Sequence, residues 1–197
     1  SASMGFGKPI SKFDYAAMLG VGFAYLSMKE NEKFQFSTFS ENLEVFQPRR
    51  GMSQLASMVF HLNNTKTRGF SKLLDSMIQY KKVVGSRSLL LLISDFLVDI
   101  NEVIETLYTL GDHEIKLIQV LDPIEKELKY SGDFKLIDSE TKSMLRTFVS
   151  PRMRVQYQQM LDNHAAKIEE TCNKLGIHFH QITSNTPIFD AFYRVLE

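Results

Sequence analysis

Between Ser88 and Phe96 the chain reads SLLLLISDF, and five consecutive large aliphatic residues, Leu89 to Ile93, leave no polar face. A strand of that kind is covered on both sides, as at the centre of a parallel sheet with helices above and below. Glu114 to Leu121 (EIKLIQVL) repeats the pattern, and Ile177 to Ile182 gives a third strand. The segments around them have helical spacing. Asn101 to Leu110 is a helix stopped by Gly111, Pro151 to about Leu175 a long one closed by Gly176, and Pro187 to Leu196 a last one.

The first third of the chain is read in the same way. Lys12 to Met28, with Phe13, Ala16, Ala17, Leu19, Val21 and Phe23, suits a largely buried helix. Phe34 to Phe39 alternates strictly and reads as a half-buried strand, with Leu43 to Phe46 as its hairpin partner. Gly51 to His61 and Phe70 to Tyr80 are amphipathic helices separated by the polar loop His61 to Gly69. Further on, Ser131-Gly132-Asp133 reads as a turn, Phe134 to Ile137 as a short strand and Asp138 to Thr141 as another turn. Together they predict a hairpin insertion near 130–140. Alternating helices and strands imply one α/β domain over 1–197 with a doubly wound, mostly parallel sheet.

Composition narrows the function classes. A chain of 197 residues buries a core without staples. Lys plus Arg and Asp plus Glu number 23 each, and this balance argues against nucleic acid as the main partner. Arg49-Arg50 and Lys81-Lys82 are the local basic clusters, read as solvated turns. The single cysteine, Cys172, excludes an internal disulfide and fits a reducing, cytoplasmic setting. No apolar run approaches the roughly 20 residues of a membrane helix, and no signal peptide is visible.

Candidate chemistry lies in three polar groupings. Ser1-Ala2-Ser3-Met4 opens the chain, Thr65 and Thr67 lie in the polar loop, and Asp95 ends the aliphatic strand. A carboxylate there sits at the rim where open α/β sheets bind ligands, although alone it would as readily cap the next helix. Hydroxyls joined to a carboxylate make a hard-oxygen site suited to Mg²⁺ or Mn²⁺. His178 and His180 share a strand face without a third ligand, so they read as structural. Gly5-Phe6-Gly7-Lys8-Pro9 lacks the spacing of a phosphate loop.

The order of these features resembles a von Willebrand factor A-type (Rossmann-like) domain: SASM, then FGK, a long helix, FQFSTFS, the threonine loop and LLLISDF. The version resembled is the bacterial domain-of-unknown-function-58 family, often found beside MoxR-type AAA+ ATPases. Asp122-Pro123-Ile124-Glu125 resembles that family's DPxE stretch, and Gly132 to Thr141 its inserted hairpin. The resemblance implies a metal-ion-dependent adhesion site, Asp-x-Ser-x-Ser plus a threonine and an aspartate from later loops. Carried over by position, Ser1 and Ser3 match the serines, Thr67 the threonine (Thr65 as the fallback) and Asp95 the late carboxylate.

The leading aspartate of that motif would fall two residues before Ser1, together with the fold's first central strand. The resemblance therefore implies a sheet without that strand beside SLLLLISDF and a metal site short of one ligand. An open sheet edge there invites strand-mediated self-association. The functional expectation is a protein-binding domain and not an enzyme. It would use Mg²⁺ or Mn²⁺ to bridge to an acidic residue of a partner, and act with a MoxR-type AAA+ ATPase in assembly or maturation of complexes. The competing expectations are a metal-assisted hydrolase using Asp95 with Asp99 or Asp122, and a metal-independent scaffold.

Overall fold

The computed structural model describes residues 2–67, 72–127, 132–137 and 144–197. After a 3-10 turn at Ser3–Gly5 comes helix α1 (Lys12–Lys29), whose N-cap Ser11 accepts a hydrogen bond from the Asp14 amide at 3.1 Å. A small antiparallel hairpin follows, β1 (Ser37–Phe39) and β2 (Leu43–Val45), then α2 (Met52–Asn64) and α3 (Leu73–Val83). Two helix-linked strands come next: β3 (Leu89–Ser94), then α4 (Ile100–Thr109) and β4 (Glu114–Leu121). The short helix α5 (Pro123–Glu127) leads to the antiparallel hairpin β5 (Gly132–Ile137) and β6 (Met144–Val149). Helix α6 (Pro151–Leu175), strand β7 (His178–Thr183) and helix α7 (Ile188–Leu196) complete the described elements.

Strands β3, β4 and β7 form a parallel sheet in the order β3-β4-β7, with Leu89 opposite Glu114 and Lys116 opposite His178. Helices cover both faces. On one side Leu73 and Met77 of α3, Val103 and Leu107 of α4, and Ile168 and Cys172 of α6 pack on Leu90, Leu92, Ile115 and Leu117. On the other, Tyr15, Ala16 and Leu19 of α1 and Ala191 and Val195 of α7 pack on Ile118, Val120 and Ile182. Each such aliphatic side chain contributes about 1.5–3 kcal/mol when fully buried. Glycine lets α1 approach α7: a Cβ on Gly22 would stand 2.9 Å from the Phe192 ring. The mixed α/β architecture and parallel sheet agree with the sequence pattern.

Several boundaries move for identifiable reasons. The helix expected to end at His61 runs to Asn64. There the Asn64 side-chain Nδ2 donates to the Phe60 carbonyl at 2.7 Å and the Thr65 hydroxyl to the His61 carbonyl at 2.8 Å, closing the last turn. The half-buried strand shrinks to Ser37–Phe39, with Phe34 held by a single bridge to Arg49. Pro123 of the DPxE stretch opens α5. Gly132 and Asp133 belong to β5 and not to a turn, because pairing with β6 extends from Gly132–Val149 to Ile137–Met144. Ser131 and the turn at Asp138–Thr141 lie outside the described residues.

By pattern SLLLLISDF reads as a central strand, whereas the resemblance implies an open edge beside it. Its faces are covered, but among the described residues β3 pairs only with β4 and so stands at the edge of its sheet, with Leu89 half exposed. Residues Leu89–Ser94 and Phe34–Ser40 both contribute to the lining of a cavity of about 1330 Å³.

Candidate functional site

The parallel sheet presents the C-terminal ends of β3 and β4 side by side, so Asp95 and Asp122 emerge at one rim, both nearly fully buried. The first turn of α1 packs over that rim. Lys12, also fully buried, places its Nζ 2.8 Å from Asp95 Oδ2 and 2.7 Å from Glu125 Oε1. Glu125 comes from α5, and its second oxygen, Oε2, accepts the Asp122 amide at 3.1 Å. Asp122 Oδ1 in turn accepts the Ile124 amide at 2.8 Å. A Cβ on Gly7 would stand 2.9 Å from Asp122 Oδ2, so the glycine loop lies against this carboxylate at φ +124, where a side chain is disfavoured anyway. One ammonium on α1 thus joins the loop after β3 to α5.

The loop carrying Asp95 is tightly held. Its carbonyl accepts Gln119 Nε2 at 2.8 Å, and Gln181 Nε2 steadies Gln119 Oε1 at 2.9 Å. The next residue, Phe96, is buried with φ +50, a strained region for a bulky side chain that costs of order 1 kcal/mol or more. It is retained by Ser94 Oγ, which accepts the Phe96 amide at 3.3 Å, and by His164 Nε2, which donates to the Phe96 carbonyl at 2.8 Å. Strain at the end of a strand, offset by hydrogen bonds from β4 and α6, fixes where the Asp95 carboxylate stands.

The serine and threonine groupings also meet. Ser3 lies in the 3-10 turn beside buried Met4, and a Cβ on Gly5 would come within 2.4 Å of Thr67 Oγ1. The threonine loop is therefore seated directly on the turn that carries Ser3. Thr65, the fallback, has its hydroxyl committed to the end of α2. Ser1 lies outside the described residues. Asp99 is drawn away from the rim as the exposed N-cap of α4, accepting the Asn101 amide at 2.8 Å. Sequence reasoning named neither Lys12 nor Glu125 as a site residue. The DPxE stretch was a signal that could have found Glu125, but Lys12 looked like any first-turn lysine, since its burial depends on a strand end more than 80 positions away.

Burial and charge set the electrostatics. Desolvation is the main cause raising the Glu125 carboxyl above its ordinary range; Lys12 opposes the rise and the negative charge of Asp95 adds to it. Burial also pushes the Tyr157 phenol up to about 12, with the charge of Glu125 reinforcing it. An ammonium that donates to two carboxylates is a structural cation and not a proton acceptor.

Whether a divalent cation suits this rim turns on Asp95. Among the described residues no group of three or more His, Cys, Asp or Glu side chains is placed to hold a metal. The Asp95 oxygen nearest the rim's other charges is already matched by Lys12, and an ammonium beside a ligand oxygen repels a second cation. The Lys12 ammonium on Asp95 Oδ2 opposes a second cation there, Ser1 lies outside the described residues, and no step below runs through a metal.

Two solved structures share the fold. One is described as "conserved hypothetical protein BatB" from Bacteroides thetaiotaomicron, 12% identical with a TM-score of 0.60, covering 100% of this chain and 92% of that one. The other is an "aerotolerance-related membrane protein" from Bacteroides fragilis NCTC 9343, solved with multiple mutations to serines. It is 14% identical with a TM-score of 0.56, covering 100% of this chain and 94% of that one. No curated protein matches the chain. The family described as "Protein of unknown function DUF58" matches residues 1–167, and the chain belongs to that family.

Proposed function

We propose that this is a protein-interaction domain, and not an enzyme, whose binding surface is the rim formed by the Ser3 turn, the Thr67 loop and the loop after Asp95. The observation that carries the reading is the Lys12–Asp95–Glu125 ion-pair cluster. It commits Asp95 and Glu125 to holding three elements in place, and among the described residues no nucleophile paired with a base accompanies it. The DUF58 resemblance supports a cytoplasmic partner of the MoxR-type AAA+ class, in assembly or maturation of other complexes. No described helix is long and apolar enough to cross a membrane.

Lys12 favours the metal-independent form of this reading over the cation-bridged form. Its ammonium supplies at Asp95 the positive charge that a bridging Mg²⁺ or Mn²⁺ would supply to Ser3, Thr67 and Asp95 in the other. The test is binding of a co-encoded AAA+ ATPase to the immobilised domain, with and without EDTA, for wild type and for Thr67→Arg, which blocks the rim. The expected result is binding unchanged by EDTA and weakened at least tenfold by Thr67→Arg. Binding lost in EDTA and restored by Mg²⁺ would overturn the metal-independent form. Binding indifferent to Thr67→Arg would overturn the rim as the surface.

A further inference from the structure

Helices α1 and α7 lie side by side on one face of the sheet and run in the same direction. The Tyr15 hydroxyl donates at 2.8 Å to the Thr186 carbonyl, just ahead of α7, and further along Phe192 sits against Gly22 and Phe23, the two rings 4.6 Å apart. Their inward residues fill the core, yet their outward faces are not polar. On α7, Phe189, Tyr193 and Leu196 follow at i, i+4 and i+7, and Phe189 and Tyr193 are 73% and 65% exposed. The register of the two helices brings Met18 of α1 level with Phe189 and Tyr25 level with Leu196, and both are exposed. Scattered apolar side chains on a surface are ordinary, but exposed together on two touching helices they form one patch.

We propose that this face docks a second copy of the chain about a two-fold axis, the α1–α7 pair of one copy packing antiparallel on that of the other. Charge placement carries the choice of occupant. Each helix has an exposed acid in its first turn, Asp14 and Asp190, and an exposed base in its last, Lys29 and Arg194. Because the helices are parallel, the acids frame one end of the patch and the bases the other. A two-fold axis turns one copy end for end, so the acidic end of each meets the basic end of its partner and the helix dipoles oppose favourably. The formal net charge of zero removes overall repulsion between copies. Size sets the strength. From Asp14 to Lys29 the helix spans about 22 Å, and two packed helices are about 20 Å wide. The contact thus buries about 900 Å² in total, at the low end for a specific interface. The dimer is therefore weak and reversible, with the aromatic residues at its centre supplying most of the affinity.

The test is sedimentation equilibrium of the chain from about 5 to 500 µM, a range that brackets a weak interface. The mass is expected to rise from 22.7 kDa toward twice that value, with a Kd of about 10–100 µM. Phe189→Ser with Tyr193→Ser changes two outward side chains and leaves the core intact; it is expected to weaken association about tenfold or more. Two charge variants, checked for folding by circular dichroism, test the two-fold axis. One carries Asp14→Lys and Asp190→Lys, the other Lys29→Glu and Arg194→Glu. Each alone is expected to stay monomeric, and their mixture to dimerise. A chain still monomeric at about 500 µM would overturn the proposal, and flotation of that monomer with anionic vesicles, lost in Phe189→Ser, would give the face to a membrane surface. A dimer indifferent to the serine variant, with slowed hydrogen exchange along Leu89–Ser94, would place the contact at the β3 edge and also overturn it. A mixture no more dimeric than its parts would overturn the antiparallel pairing.

Discussion

The Lys12 ammonium lies 2.8 Å from the Asp95 carboxylate, 83 positions away, and both side chains are buried. A buried ion pair is costly to break from one side, because the partner remains in a dry site without its counter-charge. Here the same ammonium also holds Glu125, so its loss would leave two carboxylates unmatched.

Lys12→Met is therefore expected to destabilise the fold by about 3–5 kcal/mol, a fall of roughly 10 °C in Tm for a domain of this size. Adding Asp95→Asn should recover part of the loss, since the stranded charge is removed along with its partner. Circular dichroism melting of the single and double variants checks both. A Lys12→Met variant as stable as wild type would show that the cluster is not paired in solution.

The contact between Gly5 and Thr67 gives a second expectation. Gly5→Ala drives a methyl group to 2.4 Å from Thr67 Oγ1 and should cost about 1–3 kcal/mol through overpacking. Thr67→Ala removes the obstructing hydroxyl, so the double variant should lose less than the sum of the two singles. A urea-unfolding double-mutant cycle reads the coupling, expected at about 0.5 kcal/mol or more. Strict additivity would mean that the threonine loop does not rest on the turn.

His180 should make stability fall with acid. Burial, then the charges of Lys116 and His178, hold its imidazole below the ordinary 6.5, and its Nε2 is buried without a hydrogen-bond partner. The unfolded chain takes up a proton near pH 6.5 that the folded chain refuses until lower pH. This contribution is thus fully present above about 6.5 and is lost as pH falls through the window below it. Melting points of wild type and His180→Phe from pH 7.5 to 5.5 check the sign: the variant should show the shallower decline. NMR should show the His180 ring titrating below the ordinary 6.5.

Cys172 should be inert in the folded protein. It is fully buried on α6, and burial, reinforced by Glu169, pushes its thiol up to about 12. Thiolate is the reactive form, so Ellman's reagent at pH 8 should label it only as fast as the domain opens. Full labelling within seconds in native buffer would contradict the packing of α6 on the sheet.

Much of this molecule follows from local pattern. Leu89–Ile93, Glu114–Leu121 and the segment from Pro151 to Gly176 are long and strongly patterned, with proline or glycine at the boundaries of the last, and they sit where spacing puts them. Asp95 at the end of an aliphatic run was legible as a rim carboxylate for the same reason. Whether a strand is central or at an edge is a different kind of property. Leu89–Ile93 has an interior composition because both its faces are covered, yet hydrophobicity does not record which of its two backbone edges is paired. The pattern alone could not tell; the family resemblance implied the open edge, and the fold shows β3 paired, among the described residues, with β4 only.

The same division runs through the site. Sequence marked the hydroxyls and the carboxylates, which belong to recognisable loops. It could not mark Lys12 as their counter-charge, since a lysine one turn into a helix is ordinarily solvated. Its burial arises only when α1 is laid across the ends of β3 and β4 and brings the ammonium within reach of Asp95 and Glu125. Residue types and periodicity determined the elements and the polar rim. Long-range packing decided which charges face each other there, because electrostatic partners are set by distance in space and not by spacing along the chain.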